Sequence, residues 1–172
     1  MKGIFRVLHW LLAAILVLPM LCGCEQEDDV IDIFTGKMWK LTYIYMEGNY
    51  TTPLDQWDGN EEAMKASMEL AKKAGNFTLE FNGGRLNTGG LGGTFTGRAV
   101  NATIEGRWQA DGKSRALQFS DVRYEGKETD LYAKAFLSGL SANMTHYSGD
   151  SKNLYLHFKE GQLMKVIGLI NH

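Results

Sequence analysis

Phe77-Thr78-Leu79-Glu80-Phe81-Asn82-Gly83-Gly84 alternates apolar with polar residues and then breaks on an asparagine and two glycines. A period of two sends Phe77, Leu79 and Phe81 to one side of an extended chain and Thr78 and Glu80 to the other, while Asn-Gly-Gly tolerates the positive φ of a tight hairpin. The stretch therefore predicts a half-buried strand ending in a turn. The same period recurs on both sides of it. Upstream, Trp39, Leu41, Tyr43 and Tyr45 alternate with Lys40 and Thr42. Downstream come Phe95, then Ala102, Ile104 and Trp108, then Leu117 and Phe119, with a turn at Asp111-Gly112. Leu154, Leu156 and Phe158 oppose Tyr155, His157 and Lys159 before a turn at Glu160-Gly161. Leu163 to Ile170 is apolar on both faces apart from Lys165, as a closing strand covered on both sides would be.

Two helical patterns interrupt the strands. Residues 58 to 75 open on Asp58, Glu61 and Glu62 and close on Lys72, Lys73 and Gly75, the charge order that the helix dipole favours. Their apolar stripe of Ala63, Met64, Ser67, Met68, Leu70 and Ala71 is thin, which predicts a helix lying on the surface or closing one end of a sheet. Residues 129 to 144 carry Leu131, Tyr132, Ala135, Phe136, Leu140 and Met144 at helical spacing and are expected to dock firmly. About seven strands with one or two helices predict a mostly β domain: a curled antiparallel sheet or partly open β-barrel.

The N-terminus reads as an address. Lys2 and Arg6 precede an apolar run from Val7 to Leu21, the layout of a signal peptide. The run is shorter than the ~20 residues needed to span a bilayer core and contains Pro19. Leu21-Cys22-Gly23-Cys24 resembles the lipobox of bacterial lipoproteins, with Cys24 better placed than Cys22 because a small residue precedes it. The resemblance implies cleavage after residue 23 and acylation of the Cys24 thiol. Two or three acyl chains, at ~0.8 kcal/mol per buried CH₂, make a stable anchor. Glu25, Gln26, Glu27, Asp28 and Asp29 follow at once and resemble the surface-export signal of some Gram-negative lipoproteins. Residues 24–35 are accordingly expected to form a solvated, extended acidic tether, and residues 36–172 one domain. The expected location is the outer membrane, with cell-surface display favoured over the periplasmic face.

Without residues 1–23 the chain keeps 149 residues, enough for one domain with a real core. Sixteen cations then face 20 acids, a net charge of −4 without a basic cluster, which argues against nucleic acid as a partner. With Cys22 removed and Cys24 acylated, disulfides, thiol catalysis and cysteine-bound metals are excluded together.

The order of pieces resembles a known family. Trp39-Lys40-Leu41, Phe77 to Phe81, the glycine-rich stretch Gly83 to Gly97, the helix Tyr132 to Leu140 and the strand pair Leu154 to Val166 together resemble the META domain. That family comprises small β-rich domains of bacterial envelope lipoproteins without an established enzyme activity. A lipocalin-like barrel is the alternative family.

Candidate sites are few. The glycines between Gly83 and Gly97 lead into Thr94-Phe95-Thr96, a strand, where a phosphate loop would need Gly-Lys-Ser or Gly-Lys-Thr opening a helix. They are expected to serve turns and bulges. His146, His157 and His172 show no second histidine at helical or hairpin metal spacing, and His157 is expected on the solvent face, so no metal or other cofactor is expected. Gly-x-Ser-x-Gly is absent, and Glu61 and Glu62 diverge on their helix, so no catalytic group is assigned and the chain is not expected to be an enzyme. Trp57, in a polar stretch, is expected to pack as a core plug or cap, with a ligand rim or partner surface as alternatives. The expected function is a non-catalytic binding module that engages another envelope component. The alternative is a carrier of a small apolar ligand, in a cavity lined by Trp39, Phe95, Trp108 and Phe119.

Overall fold

Eight strands hydrogen-bond into one antiparallel sheet. The structure, a computed structural model, describes residues 23–48, 57, 59–87 and 90–172, with the backbone alone over 23–28. Residues 1–22 of the leader, Cys22 among them, lie outside the described residues, as does most of the stretch around Trp57. In chain order the elements are α1 (Gly23–Phe34), β1 (Met38–Met46), α2 (Glu61–Lys72), β2 (Thr78–Arg85), β3 (Leu91–Arg98), β4 (Thr103–Ala110), β5 (Leu117–Glu125), α3 (Leu131–Ser141), β6 (Asn143–Gly149), β7 (Asn153–Glu160) and β8 (Leu163–Asn171).

The strands lie in the order β5-β4-β3-β2-β1-β8-β7-β6. β2 to β5 and β6 to β8 follow one another through hairpins or short connections, β1 reaches β2 through α2, and β8 returns to pair with β1 and so joins two meanders. The sheet curls until its two edges approach, where Ala116 and His146 form an isolated bridge and the Tyr147 N–H donates to the Arg115 carbonyl at 3.0 Å. No ladder closes the gap between β5 and β6 among the described residues, so the sheet is a partly open barrel. Along β8, Val166, Ile167, Gly168 and Leu169 are buried in succession, as expected of a strand covered on both faces.

The turn expected at Asn82-Gly83-Gly84 comes later: these residues extend β2 and pair with Thr94, Gly93 and Gly92 of β3, because glycine lets the facing backbones come close. Gly83 pairs with Gly93, and a Cβ on Gly93 would stand 2.0 Å from the Asn82 carbonyl oxygen. Trp108, paired to Gly93 from β4, donates its indole N–H to that same Asn82 carbonyl at 3.1 Å. Glycine here lets two backbones and an indole occupy space that a side chain would fill.

Four further expectations about the elements need correction. Residues 24–35 are not an extended tether: α1 runs over Gly23–Phe34, and Val30 and Phe34 belong to the core. Phe34 stacks on Trp108 at 4.9 Å and meets Phe81 and Tyr147 edge-on at 5.1 and 5.0 Å. The acidic residues at the start of α1 suit its positive dipole end, and the burial of Phe34 supplies the apolar free energy that a solvated run would lack. The helix expected at 58–75 is shorter, with Asn60 as its N-cap, its side chain accepting from the Ala63 N–H. The helix expected at 129–144 ends at Ser141, and Met144 lies in β6, an eighth strand that helical spacing had absorbed. Among the described residues three helices, not one or two, accompany the sheet.

α2 lies on the outside, as its thin stripe predicted, and is tied down by one polar chain. The Trp57 indole N–H donates to Ser67 Oγ at 2.9 Å, and Ser67 donates in turn to Asp130 Oδ2 at 2.5 Å. Asp130 is also the N-cap of α3, its Oδ1 accepting from the Ala133 N–H at 2.8 Å. Trp57 is thus a buried cap over Tyr132, not a rim. Lys40 donates to the carbonyls of Lys73 and Asn76 and so caps the other end of α2; burial lowers its pKa from the ordinary lysine value.

Candidate functional site

The residues expected to line a ligand cavity all point into the barrel, yet they meet one another. Phe95 and Phe119 lie 4.6 Å apart, and Phe81 approaches them at 5.9 and 6.0 Å. Trp39 donates its indole N–H to the Phe34 carbonyl at 3.2 Å, and Phe34 covers Trp108. The space between the four is therefore taken by Phe34 and Phe81. Sequence periodicity assigns these side chains to the interior, but α1 as the plug was hidden by the acidic composition ahead of it. Cys24 and the acidic residues Glu25 to Asp29 form the first half of α1, and Asp29 is exposed; for the other five, side chains lie outside the described residues.

Polar chemistry collects instead on the outer face. β6 carries a bulge between Met144 and His146, so that His146 stands directly opposite His157 of β7. Val166 of β8 and Tyr45 of β1 continue the same rung across the sheet. The two imidazoles stack at 4.0 Å with 17° between their planes. Glu47, immediately after β1, places Oε1 at 3.7 Å from His157 Nδ1. This overturns the reading that no second histidine stands at hairpin spacing. His157 does lie on the outward face, but it is only 9% exposed and so does not face free solvent.

Hydrogen bonds orient both rings. The Thr145 hydroxyl has a single proton and donates it to the His157 carbonyl at 3.1 Å, so it can only accept from His146 Nδ1 at 3.0 Å. His146 therefore carries its proton on Nδ1 and leaves Nε2 with a lone pair. His157 Nε2 is 3.0 Å from Ser148 Oγ, while its Nδ1 is buried without a hydrogen-bond partner. Burial first, then the neighbouring His146, lowers the pKa of His157, and the Glu47 carboxylate opposes them only in part. His157 Nδ1 and His146 Nε2 are the ring nitrogens outside these hydrogen bonds.

Two shallower features flank the sheet. A groove of about 520 Å³ crosses the outer face of β1 to β5, with Glu80, Thr96, Glu105 and Arg123 on its floor. Met38 and Tyr124 stand at it as exposed apolar side chains, Tyr124 at 62%. A cleft of about 440 Å³ lies where α1 meets the loops at Lys113, Arg115 and Asp150. Neither brings a nucleophile and a base together.

A family model described as a domain of unknown function, DUF4847, matches residues 25–171. Among solved structures, the crystal structure of a DUF4847 family protein from Bacteroides vulgatus ATCC 8482 is similar, with 29% identity and a TM-score of 0.58, over 82% of this chain and 96% of that one. No curated protein matches the chain.

Proposed function

The chain belongs to the DUF4847 family, and we propose that it is a lipid-anchored, non-catalytic module of the bacterial cell envelope that binds another envelope component through the outside of its sheet. The observation that carries this reading is the occupied interior: with Phe34 stacked on Trp108 and Phe81 packed against Phe95 and Phe119, recognition is left to the outer surface. The groove across β1 to β5 offers exposed Met38 and Tyr124 beside charged Glu105 and Arg123, a mixture typical of protein contact surfaces. The likeness to META domains points the same way.

Anchoring through Cys24 gives α1 a mechanical role. Val30 is in the core six residues beyond Cys24, and six residues of helix span about 9 Å. The domain would then stand on a short rigid stalk close to the bilayer, with the α1 end of the barrel turned toward it.

Crosslinking in intact membranes followed by affinity capture is expected to return a reproducible envelope partner whose yield falls with Tyr124→Ala and Arg123→Glu. Capture that returned no reproducible partner, or one indifferent to both substitutions, would refute the surface reading. Native mass spectrometry separates it from the carrier reading: a module with a filled core flies at its own mass, whereas a carrier retains an apolar ligand. Protease added to intact cells is expected to remove an outward-facing domain; protection would turn it toward the periplasm.

A further inference from the structure

We propose that Glu47, His146 and His157 form a binding site for a divalent transition-metal ion of the zinc class. The three residues come from three separate elements, and one ligand atom from each lies within 4.8 Å of the others. Two imidazole nitrogens and a carboxylate oxygen are the donors that borderline ions such as Zn²⁺ prefer over Mg²⁺ or Ca²⁺, which favour oxygen alone.

The spacing suits an ion better than a hydrogen bond. His157 Nδ1 and Glu47 Oε1 are 3.7 Å apart, beyond the ~3.2 Å limit of a good N–H···O bond. Two ligands each about 2.0–2.1 Å from one ion stand no more than about 4 Å apart, so 3.7 Å falls within the span of a shared ion. The buried, unpartnered His157 Nδ1 is otherwise without explanation, since a buried polar atom left without a partner is costly. An ion on Nδ1 satisfies it. The surroundings also orient the ligands as metal sites require: His157 Nε2–H can donate to Ser148 Oγ, and His146 Nδ1–H donates to Thr145, which leaves Nε2 of His146 to coordinate. The widest pair must close by about 1 Å, and the stacked rings must tilt so that their in-plane lone pairs converge. Ion binding is therefore coupled to unstacking of the histidine pair. With three protein ligands, a fourth position stays open to water or to a donor from a partner.

The test uses the full chain purified in detergent, stripped with chelator and dialysed against Zn²⁺, with bound metal counted by elemental analysis. About one ion per chain is expected. His146→Ala, at the half-buried position, should abolish binding, and Glu47→Gln should weaken it at least tenfold through loss of an anionic ligand. Ser148→Ala should weaken it by about 10- to 100-fold without removing a ligand. His172→Ala, remote from the site, should leave it unchanged. Co²⁺ added to the unsubstituted chain gives a readout independent of any variant: intense visible absorption bands are expected for a four-coordinate nitrogen and oxygen site. Failure to take up Zn²⁺, uptake of several weak equivalents, or uptake unaltered by His146→Ala would overturn the proposal.

Discussion

Ser67 sits where the apolar stripe of a helix would ordinarily carry a leucine, and its hydroxyl connects an indole to a carboxylate. Ser67→Ala removes one oxygen and leaves two partners unsatisfied, the buried Trp57 N–H and the half-buried Asp130 Oδ2. The expected loss is about 1–3 kcal/mol in urea unfolding, with Trp57 fluorescence reporting the release of α2. Unchanged stability would mean that water replaces the hydroxyl. Nothing near Trp57 in the sequence indicates this role, because its partner lies ten residues away and becomes visible only once α2 has folded. The histidine pair was hidden for a similar reason. His146 and His157 meet only if residues 143–149 are a strand, and only if the bulge at Thr145 advances the register by one position. Without the bulge, Thr145 would face His157. A bulge leaves no periodic mark in a single sequence.

At the scale of elements, α1 decides whether the barrel is hollow. Phe34→Ala should cost about 3–5 kcal/mol by chemical denaturation, the range for deleting a buried aromatic ring. A loss below about 1 kcal/mol would mean that the ring lies outside the core. Val30 and Phe34 are the buried residues of α1, with Ile31 and Ile33 packed against the core, and the acidic run before them conceals a helix whose stability comes from that burial. A second element-level tie is Glu128, whose carboxylate accepts from the backbone N–H groups of Val100, Asn101, Thr129 and Asp130 and so joins the β3–β4 connection to the start of α3. Partial burial would raise its pKa, but these bonds outweigh burial and hold it below the ordinary glutamate value. A depressed carboxyl adds stability above its unfolded value, and that contribution is lost as pH falls through the folded one. The melting temperature should therefore fall on acidification below about pH 4.5, and Glu128→Gln should flatten that dependence. An unaltered acid limb in the variant would assign the loss to other carboxylates.

At the scale of the molecule, strand periodicity was enough for the class of fold. Alternation in β2, β4 and β7, with the turn at Glu160-Gly161, reflects a sheet with one wet and one dry face, and that physics is local; the bulge between Leu41 and Tyr43 breaks the alternation of β1, turning Tyr43 outward and Ile44 inward. Closure is not local. Whether the sheet shuts, and what fills it, depends on β6, on the bridge from Ala116 to His146 and on the entry of α1, none of which a period of two encodes. The interior residues Trp39, Phe95, Trp108 and Phe119 were legible as inward-facing, but their mutual packing through Phe34 and Phe81 was not. Among the described residues no helix is long and apolar enough to cross a membrane; the proposed attachment would act through an acylated Cys24 in the first turn of α1.

Intact-protein mass spectrometry of the membrane-extracted product tests that attachment most directly. The expected product is a chain that begins at Cys24 and carries the added mass of two or three acyl chains. A free thiol at that position, or a product still bearing residues 1–23, would contradict it.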